Sequence, residues 1–381
     1  MGYQELRFTF DGLGPDKGAA IYEVIATGDV FRLILKNSST SSPPFLTLRY
    51  QDDQLSPSFS LDCLPNILIT SSFWRLHESD LIFLDFEKGL FEIAWRSQSN
   101  SNSVLITERC NHRCLMCSQP PKPTDDFNWR NKLDLLVEAF PENADVICLT
   151  GGEPSLYLDR LTAPLNHLLD KQIRGVSILS NGALLQRSTI REFADKLDSS
   201  RILWCIPLYS HLPSVHDHIV ASKGAWYKTL EGIQNLHEEG FPIQVRFIPL
   251  SQNQYQVLDF LEFIESSLFF VQQLAIMGLE VTGYAVDNIA QITPNFDHVT
   301  RELQNADALL ARLPMEVSLF NLPLCLLPDS LHRFSVNSIS DWKNFYPKEC
   351  MMCELRQDCA GFFSTSESSL FSPKPYIRSV S

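Results

Sequence analysis

The stretch "TERCNHRCLMCSQPP", Thr107–Pro121, places three cysteines within eight residues, spaced C-x3-C-x2-C at Cys110, Cys114 and Cys117. It follows directly on "SVLIT", a short apolar run ending at Thr107 that reads as a β-strand. The cysteines therefore belong at the carboxyl end of a strand, the side on which parallel α/β folds bind their ligands. Three thiolates are one fewer than a closed structural zinc site takes, and an odd number cannot all pair as disulfides. A cubane [4Fe-4S] cluster normally takes four, so three leave one iron with an open position. Zinc, which also accepts thiolates, is the alternative occupant.

The chain around this loop has 381 residues, 44% hydrophobic and 20% charged, enough for a large core and two or three domains. Its 31 basic and 45 acidic residues give a net charge of -14, which argues against nucleic acid or an anionic membrane as partner. "MGYQELRFTFDG" lacks the basic start and apolar run of a signal peptide, and Leu6 stands where a myristoylation site wants Ser or Thr. No run reaches the ~18 apolar residues of a membrane helix. The expectation is a cytoplasmic protein whose ten cysteines are reduced, clusters of them reading as metal ligands.

Residues 1–102 read as β-rich: "LRFTF", "AIYEVIA", "VFRLILK" and "FLTLRY" are separated by turn formers, and "LIFLDFEKGLFEIAW" reads as a hairpin turning at Glu87-Lys88-Gly89. "SQSNSN" reads as a linker. From Ser103 the pattern changes to strands alternating with amphipathic helices. "DVICLT", "GVSILS", "ILWCIPL", "IQVRFIPL" and "VQQLAIM" are short, nearly continuous apolar strands. Such βα repetition implies a parallel sheet covered by helices. About six units fall short of a closed eight-fold barrel, so the fold expected over 103–314 is α/β, a partial (β/α)6 TIM-like barrel. Residues 315–381 form a third, cysteine-bearing segment. Pro164, inside "LDRLTAPLNHLLD", marks a break or a helix start.

Two further motifs fall at strand ends. "LTGGEPSL" puts Gly151, Gly152, Glu153 and Pro154 after the second strand; the glycines allow a ligand to touch backbone, and Glu153 offers a carboxylate to an ammonium group. "LSNGALL" puts Ser180 and Asn181 after the third. Either alone is an ordinary turn. Together with the cysteine loop, they occupy one rim.

On these residues the sequence resembles the radical S-adenosylmethionine (SAM) superfamily, from Ser103 to about Met277. The resemblance implies that Cys110, Cys114 and Cys117 hold a [4Fe-4S] cluster whose free iron is chelated by SAM. It implies reductive cleavage of SAM to a 5′-deoxyadenosyl radical that removes a hydrogen atom from substrate. It would place Gly151, Gly152, Glu153 and Pro154 at the methionine part of SAM, Ser180 and Asn181 at its carboxylate or ribose, and Met116 against adenine, where the family usually has an aromatic residue. Arg246, on the fifth strand, reaches the ribose or carboxylate, or else forms a rim ion pair.

Near the C-terminus, Cys325 in "NLPLCLLPDS" and Cys350, Cys353 and Cys359 in "KECMMCELRQDCAGFF" suffice for one complete metal centre, and four thiolates also satisfy zinc. Following a radical SAM barrel, their spacing resembles the twitch and SPASM auxiliary-cluster extensions, which implies one auxiliary [4Fe-4S] cluster. Cys148 and Cys205 lie in apolar strands and read as core; Cys63 is uninformative. His216, Asp217 and His218 could transfer protons, but a loop in which Asp217 caps a turn explains them better. Glu280 reads as a rim carboxylate.

Longer strings, "ERCNHRCLMCSQPPK", "HDHIVASKGAWYKTLEGIQNL", "MGLEVTGYA" and "SISDWKNFYPKECMMCELRQDCAGFF", resemble the His-Xaa-Ser system radical SAM maturases, C-type member. That implies modification of a ribosomally made precursor peptide, a companion radical SAM enzyme and a flavodoxin- or ferredoxin-type electron donor. The alternatives are a radical SAM enzyme acting on a small molecule or nucleotide, and a non-catalytic zinc or iron–sulfur scaffold.

Overall fold

The computed structural model describes residues 77–365, except 86–89, 100–101, 124–126, 142–145, 172 and 341–342, and in addition Tyr376 and the backbone of six strands before residue 77. Side chains at 84–85, 90–92 and 127–132 also lie outside the description.

The N-terminal strands are β1 (Leu6–Arg7), β2 (Ala19–Thr27), β3 (Val30–Leu35), β4 (Phe45–Gln51), β5 (Ser56–Leu61), β6 (Leu64–Leu68), β7 (Leu81–Asp85) and β8 (Leu90–Trp95). They form one antiparallel sheet in the order β1-β8-β7-β2-β3-β4-β5-β6. The pairing of Leu81 with Trp95 and of Asp85 with Leu90 makes the expected hairpin; its turn, 86–89, is outside the described residues, as is Cys63. Asp80, fully buried, accepts hydrogen bonds from the backbone N–H groups of His77 (2.9 Å) and Ser97 (2.8 Å) and closes the base of this hairpin.

A second sheet is wholly parallel: β9 (Ser103–Leu105), β10 (Val146–Thr150), β11 (Gly175–Leu179), β12 (Ile202–Pro207), β13 (Ile243–Phe247), β14 (Gln273–Met277), β15 (Glu316–Phe320) and β16 (Ser335–Val336) follow one another in chain order. β9 and β16 do not pair, so the barrel stays open. Six βα units were expected, and the sheet continues with two further strands beyond residue 314, β15 pairing in register with β14. A two-stranded antiparallel sheet, β17 (Asn344–Phe345) and β18 (Phe362–Phe363), lies in the C-terminal segment.

The connecting helices are α1 (Phe127–Ala139), α2 (Leu158–Asp170), α3 (Arg187–Ala194), α4 (Pro213–Val220), α5 (Ala225–Glu238) and α6 (Val257–Ser267), then α7 (Tyr284–Asp287), α8 (Ile289–Ile292), α9 (Phe296–Asn305) and α10 (Asp307–Arg312). In α2 the helical spacing of Leu158, Leu161, Leu165, Leu168 and Leu169 buries one face. The helix continues through Pro164 without ending.

Alternation within the strands sorts the sheet into two faces. Ile147, Leu149, Val176, Ile178, Trp204, Ile206, Val245, Phe247, Leu274, Ile276 and Leu319 meet the helices in one large core. Trp204, Phe193 and Phe241 pack there with ring centroids 6.1 Å apart. The inner face carries Cys148, Ser177, Cys205, Gln244, Arg246, Gln273 and Ser318, and its positions alternate as half-buried against the fully buried outer ones on β10 and β11. Polar and thiol side chains therefore line the inner face of the sheet, some half-buried (Cys148, Arg246) and some buried (Cys205, Gln244, Ser318). Among the described residues no helix is long and apolar enough to cross a membrane.

Candidate active site

The three-cysteine loop leaves β9 and is gripped by the chain at several points. On the β10 side, the Gly152 N–H donates to the Thr107 carbonyl (2.7 Å) and the Glu153 N–H to the Arg109 carbonyl (2.8 Å). A Cβ on Gly151 would lie 2.5 Å from Thr107 O, and one on Gly152 would lie 2.1 Å from Arg109 O. The sequence motif thus has a local cause: two glycines let the exit turn of β10 press flat against the cysteine loop.

On the opposite side, α4 ends beneath the loop. The last carbonyls of a helix lack intrahelical donors. Here Ile219 O accepts from the Leu115 N–H (2.9 Å) and Val220 O from the Arg113 N–H (3.2 Å). Asn288 donates to Leu115 O (2.9 Å), and the Tyr284 N–H donates to Cys117 O (2.9 Å). Gly283, at φ 60°, allows that last approach, since a Cβ there would lie 2.5 Å from Cys117 O. The strings "HDHIVASKG" and "MGLEVTGYA" therefore build the seat of the loop.

Met116 is buried beside Tyr209, Ile219, Val220 and Ala285. The structure places it as an apolar anchor of the loop inside the protein.

The three thiols are drawn together. Burial pushes the Cys110 thiol up to about 11, relieved in part by the His112 N–H and raised further by Glu153 and Cys117. Burial and the neighbouring Cys117 and Cys110 raise Cys114 further still, and burial raises Cys117. Sulfurs that oppose one another's ionisation inside a preformed loop are the donor set of a cation that ionises them. Among the described residues no three Cys, His, Asp or Glu side chains are disposed to hold a single metal ion. Three thiols on one loop suit a cluster, in which each thiolate binds its own iron.

Glu153 is fully buried, with Oε1 accepting from the Ser155 N–H (2.9 Å) and the Ser180 hydroxyl (2.6 Å), and Oε2 from the Asn181 N–H (2.7 Å). Burial raises its pKa and these hydrogen bonds oppose the rise. Its carboxylate ties the exits of β10 and β11 together; it does not stand free for an ammonium group. Pro154 opens the short 3-10 turn Pro154–Tyr157 that Glu153 caps. Asn181 reaches the cysteine loop, donating to Asn111 Oδ1 (2.7 Å) and toward Cys110 Sγ (3.9 Å). Glu153, Ser180 and Asn181 are thus one connected unit against the thiols.

Arg246 points into the lumen. Its Nε–H donates to Gln244 Oε1 (2.5 Å), and its side chain also hydrogen-bonds the Cys205 thiol. Cys148 and Cys205 lie on the inner face of the sheet with Arg246, Cys205 buried as expected and Cys148 half-buried, because their strands alternate and the helix-facing positions belong to isoleucine, leucine and tryptophan.

The tyrosine at 209 carried no sequence signal. It is buried between the loop and the lumen, within electrostatic reach of Cys114, Cys117 and Arg246, with its phenol raised well above the usual range by burial. His216 stacks on it (5.8 Å) and accepts from the Tyr209 N–H at Nδ1 (3.2 Å). Asp217 caps the next helix, accepting from the N–H groups of Gly224 (2.6 Å) and Trp226 (2.9 Å). His216 and Asp217 thus have structural partners.

The four C-terminal cysteines, Cys325, Cys350, Cys353 and Cys359, line one small cavity with Tyr346, Arg356, Phe362 and Tyr376. Burial, followed by Cys325, Cys353 and Cys359, pushes the Cys350 thiol up to about 11. The segment is fastened to the barrel rim by Lys343, whose Nζ donates to both Glu280 oxygens (2.7 and 2.9 Å). A separate cavity of about 130 Å³ lies between the ends of β14 and β15 and this segment, lined by Met277, Leu279, Val281, Phe296, Leu322 and Phe362 among others.

Comparison with known proteins identifies the barrel. Residues 104–264 match the family model described as the Radical SAM superfamily. GTP 3′,8-cyclase of Aliarcobacter butzleri (strain RM4018) is 30% identical over 219 residues, 52% of this chain and 65% of that protein. Fe-coproporphyrin III synthase of Methanosarcina barkeri (strain Fusaro / DSM 804) is 29% identical over 154 residues, 39% of this chain and 36% of that protein. The chain thus spans less than two thirds of the length of either relative. Among solved structures, SuiB of Streptococcus suis bound to S-adenosylmethionine is 14% identical with a TM-score of 0.44, covering 61% of this chain and 51% of that one. Residues 104–264 are thus the part of the chain that carries the likeness to the radical SAM superfamily.

Proposed function

From the match of residues 104–264 to the radical SAM family model, we propose that this protein is a radical SAM enzyme acting on a small anionic molecule of the nucleotide class. The observation that carries the reading is the three-thiol loop: Cys110, Cys114 and Cys117 face one another on a seat built from β10, α4, Gly283 and Asn288. These residues would hold a [4Fe-4S] cluster, with the backbone at Gly151 and Gly152 and the side chain of Asn181 beside it for SAM. When bound, the pair supplies reductive cleavage of SAM and a 5′-deoxyadenosyl radical. Glu153 fixes the two strand exits that border the loop, and the hydrogen-bonded seat holds the loop in place. Cys325, Cys350, Cys353 and Cys359 would hold a second cluster close to the barrel mouth.

The substrate class is supported by the names of relatives, several of them GTP 3′,8-cyclases, and by the polar lumen. A second reading, maturation of a His-Xaa-Ser type precursor peptide with a companion enzyme, is favoured by the likeness of longer strings. Two of those strings build the seat of the cysteine loop, so their likeness speaks to loop anchoring and not to substrate. An electron donor of flavodoxin or ferredoxin type is needed in either case.

The test is anaerobic reconstitution with iron and sulfide, iron analysis, reduction, and chromatography of 5′-deoxyadenosine, against Cys114→Ala. About eight irons per chain, and nucleoside from wild type alone, are expected. Adding GTP or a His-Xaa-Ser peptide separates the substrates: product from GTP or another nucleotide supports the first, product from peptide the second. Protein that is folded but takes up no iron and forms no nucleoside would sink both.

A further inference from the structure

The lumen-facing residues of β13, β14 and β15 form a directed relay. Gln273 Nε2 donates to Glu316 Oε1 (3.0 Å) and to Ser318 Oγ (3.1 Å). Gln244 Nε2 donates to Gln273 Oε1, and Arg246 Nε donates to Gln244 Oε1 (2.5 Å). Each amide turns its oxygen toward the cation and its NH2 toward the carboxylate. The relay runs over three neighbouring strands whose register sets Gln244, Gln273 and Glu316 side by side.

The relay fixes where Arg246 points and uses one of its five N–H donors. The Cys205 thiol takes another. No carboxylate of the described residues forms an ion pair with Arg246. The nearest thiols, Cys148 and Cys205, are held neutral by burial and supply no countercharge. A half-buried guanidinium held by amides and left without a counterion is costly to desolvate, and its planar fork matches a carboxylate or phosphate. Arg246 is only half-buried, which leaves the guanidinium within reach of such a group.

Resting on the radical SAM reading, we infer that the Arg246 fork is the substrate's oxyanion subsite inside the barrel, held in aim by the Gln244–Gln273–Glu316 relay, and that it does not serve SAM. The substrate carries a phosphate or a carboxylate that enters the lumen beneath the cysteine loop and sets which carbon faces it.

The experiment is isothermal titration calorimetry of the reconstituted protein with inorganic pyrophosphate and with succinate at fixed ionic strength, alongside SAM binding and substrate-free 5′-deoxyadenosine formation. Wild type is expected to bind one of the two anions; pyrophosphate identifies a phosphate substrate and succinate a carboxylate one. Arg246→Gln should weaken that binding by about tenfold or more while leaving SAM affinity and substrate-free cleavage unchanged. Should Arg246→Gln misfold, Gln244→Glu supplies an internal counterion to an intact Arg246 and should weaken anion binding in the same way. Anion binding that survives in a folded variant, no binding of either anion by wild type, or a loss of SAM affinity in Arg246→Gln would overturn the inference. Failure of wild type to cleave SAM while still binding the anion through Arg246 would sink the radical SAM reading alone.

Discussion

Gly152 and Arg109 are in backbone contact: a methyl group on Gly152 would stand 2.1 Å from the Arg109 carbonyl oxygen. The pair of glycines after β10 is therefore required by the cysteine loop itself, before any ligand is considered. Gly152→Ala should displace the loop, cost about 1–3 kcal/mol as overpacking does, and lower the iron bound after reconstitution. Thermal melts and iron analysis check this. Full iron content with an unchanged melting temperature would return the glycines to a role in ligand contact alone.

His216 and His112 are both held neutral, with burial the largest cause, and their pKa values are lowered to about 4. A base whose folded pKa is depressed binds its proton more readily when unfolded. Stability is therefore full above the unfolded value of about 6.5 and falls as pH drops toward 4. His216→Gln keeps an acceptor for the Tyr209 N–H and removes one of these protons. Urea unfolding at pH 7.5 and pH 5 should show a smaller loss for the variant, by a few kcal/mol at most. Equal losses would mean that His216 protonates without opening its site.

Lys343 and Glu280 are 11% and 19% exposed, so neither charge is well hydrated once the other is gone. Lys343→Met alone should destabilise by about 1.5–3 kcal/mol, and the double variant with Glu280→Gln should recover part of that. A double-mutant cycle from denaturant midpoints measures the coupling. The same single variant should speed proteolysis between the barrel and the C-terminal cysteines. A coupling near zero would show that other contacts hold the segment in place.

Asp217 accepts two backbone N–H groups at the start of α5. Asp217→Asn keeps most of this cap, and Asp217→Ala should cost about 1–2 kcal/mol. Both should form 5′-deoxyadenosine at the wild-type rate once folded. A large fall in rate with unchanged stability would instead give this carboxylate a part in proton transfer.

Much of the barrel was legible in the chain because its signals are local. Short apolar strands alternating with helical stripes announce a parallel sheet, and a three-cysteine loop at a strand end announces an open metal site. β15 and β16 were not legible: "SV" is only two residues long, and the pairing of β15 with β14 and of β16 with β15 is a long-range fact. Which face of the sheet Cys148 and Cys205 take was not legible for a related reason. Cys148 and Cys205 sit in nearly continuous apolar runs, and in such runs the alternation that tells the inner face from the outer is weak.

The sequence by itself determined the chemistry of the donors: which thiols exist, how they are spaced, and that they follow a strand. Only the tertiary structure decided what the neighbouring polar groups do. It turned Glu153 inward to join two loops, Met116 into an anchor, and Arg246 down toward Gln244 and Cys205. The reason is physical. A residue's type fixes what it can bond, but its partners come from strands and loops brought together by burial of the opposite, apolar face.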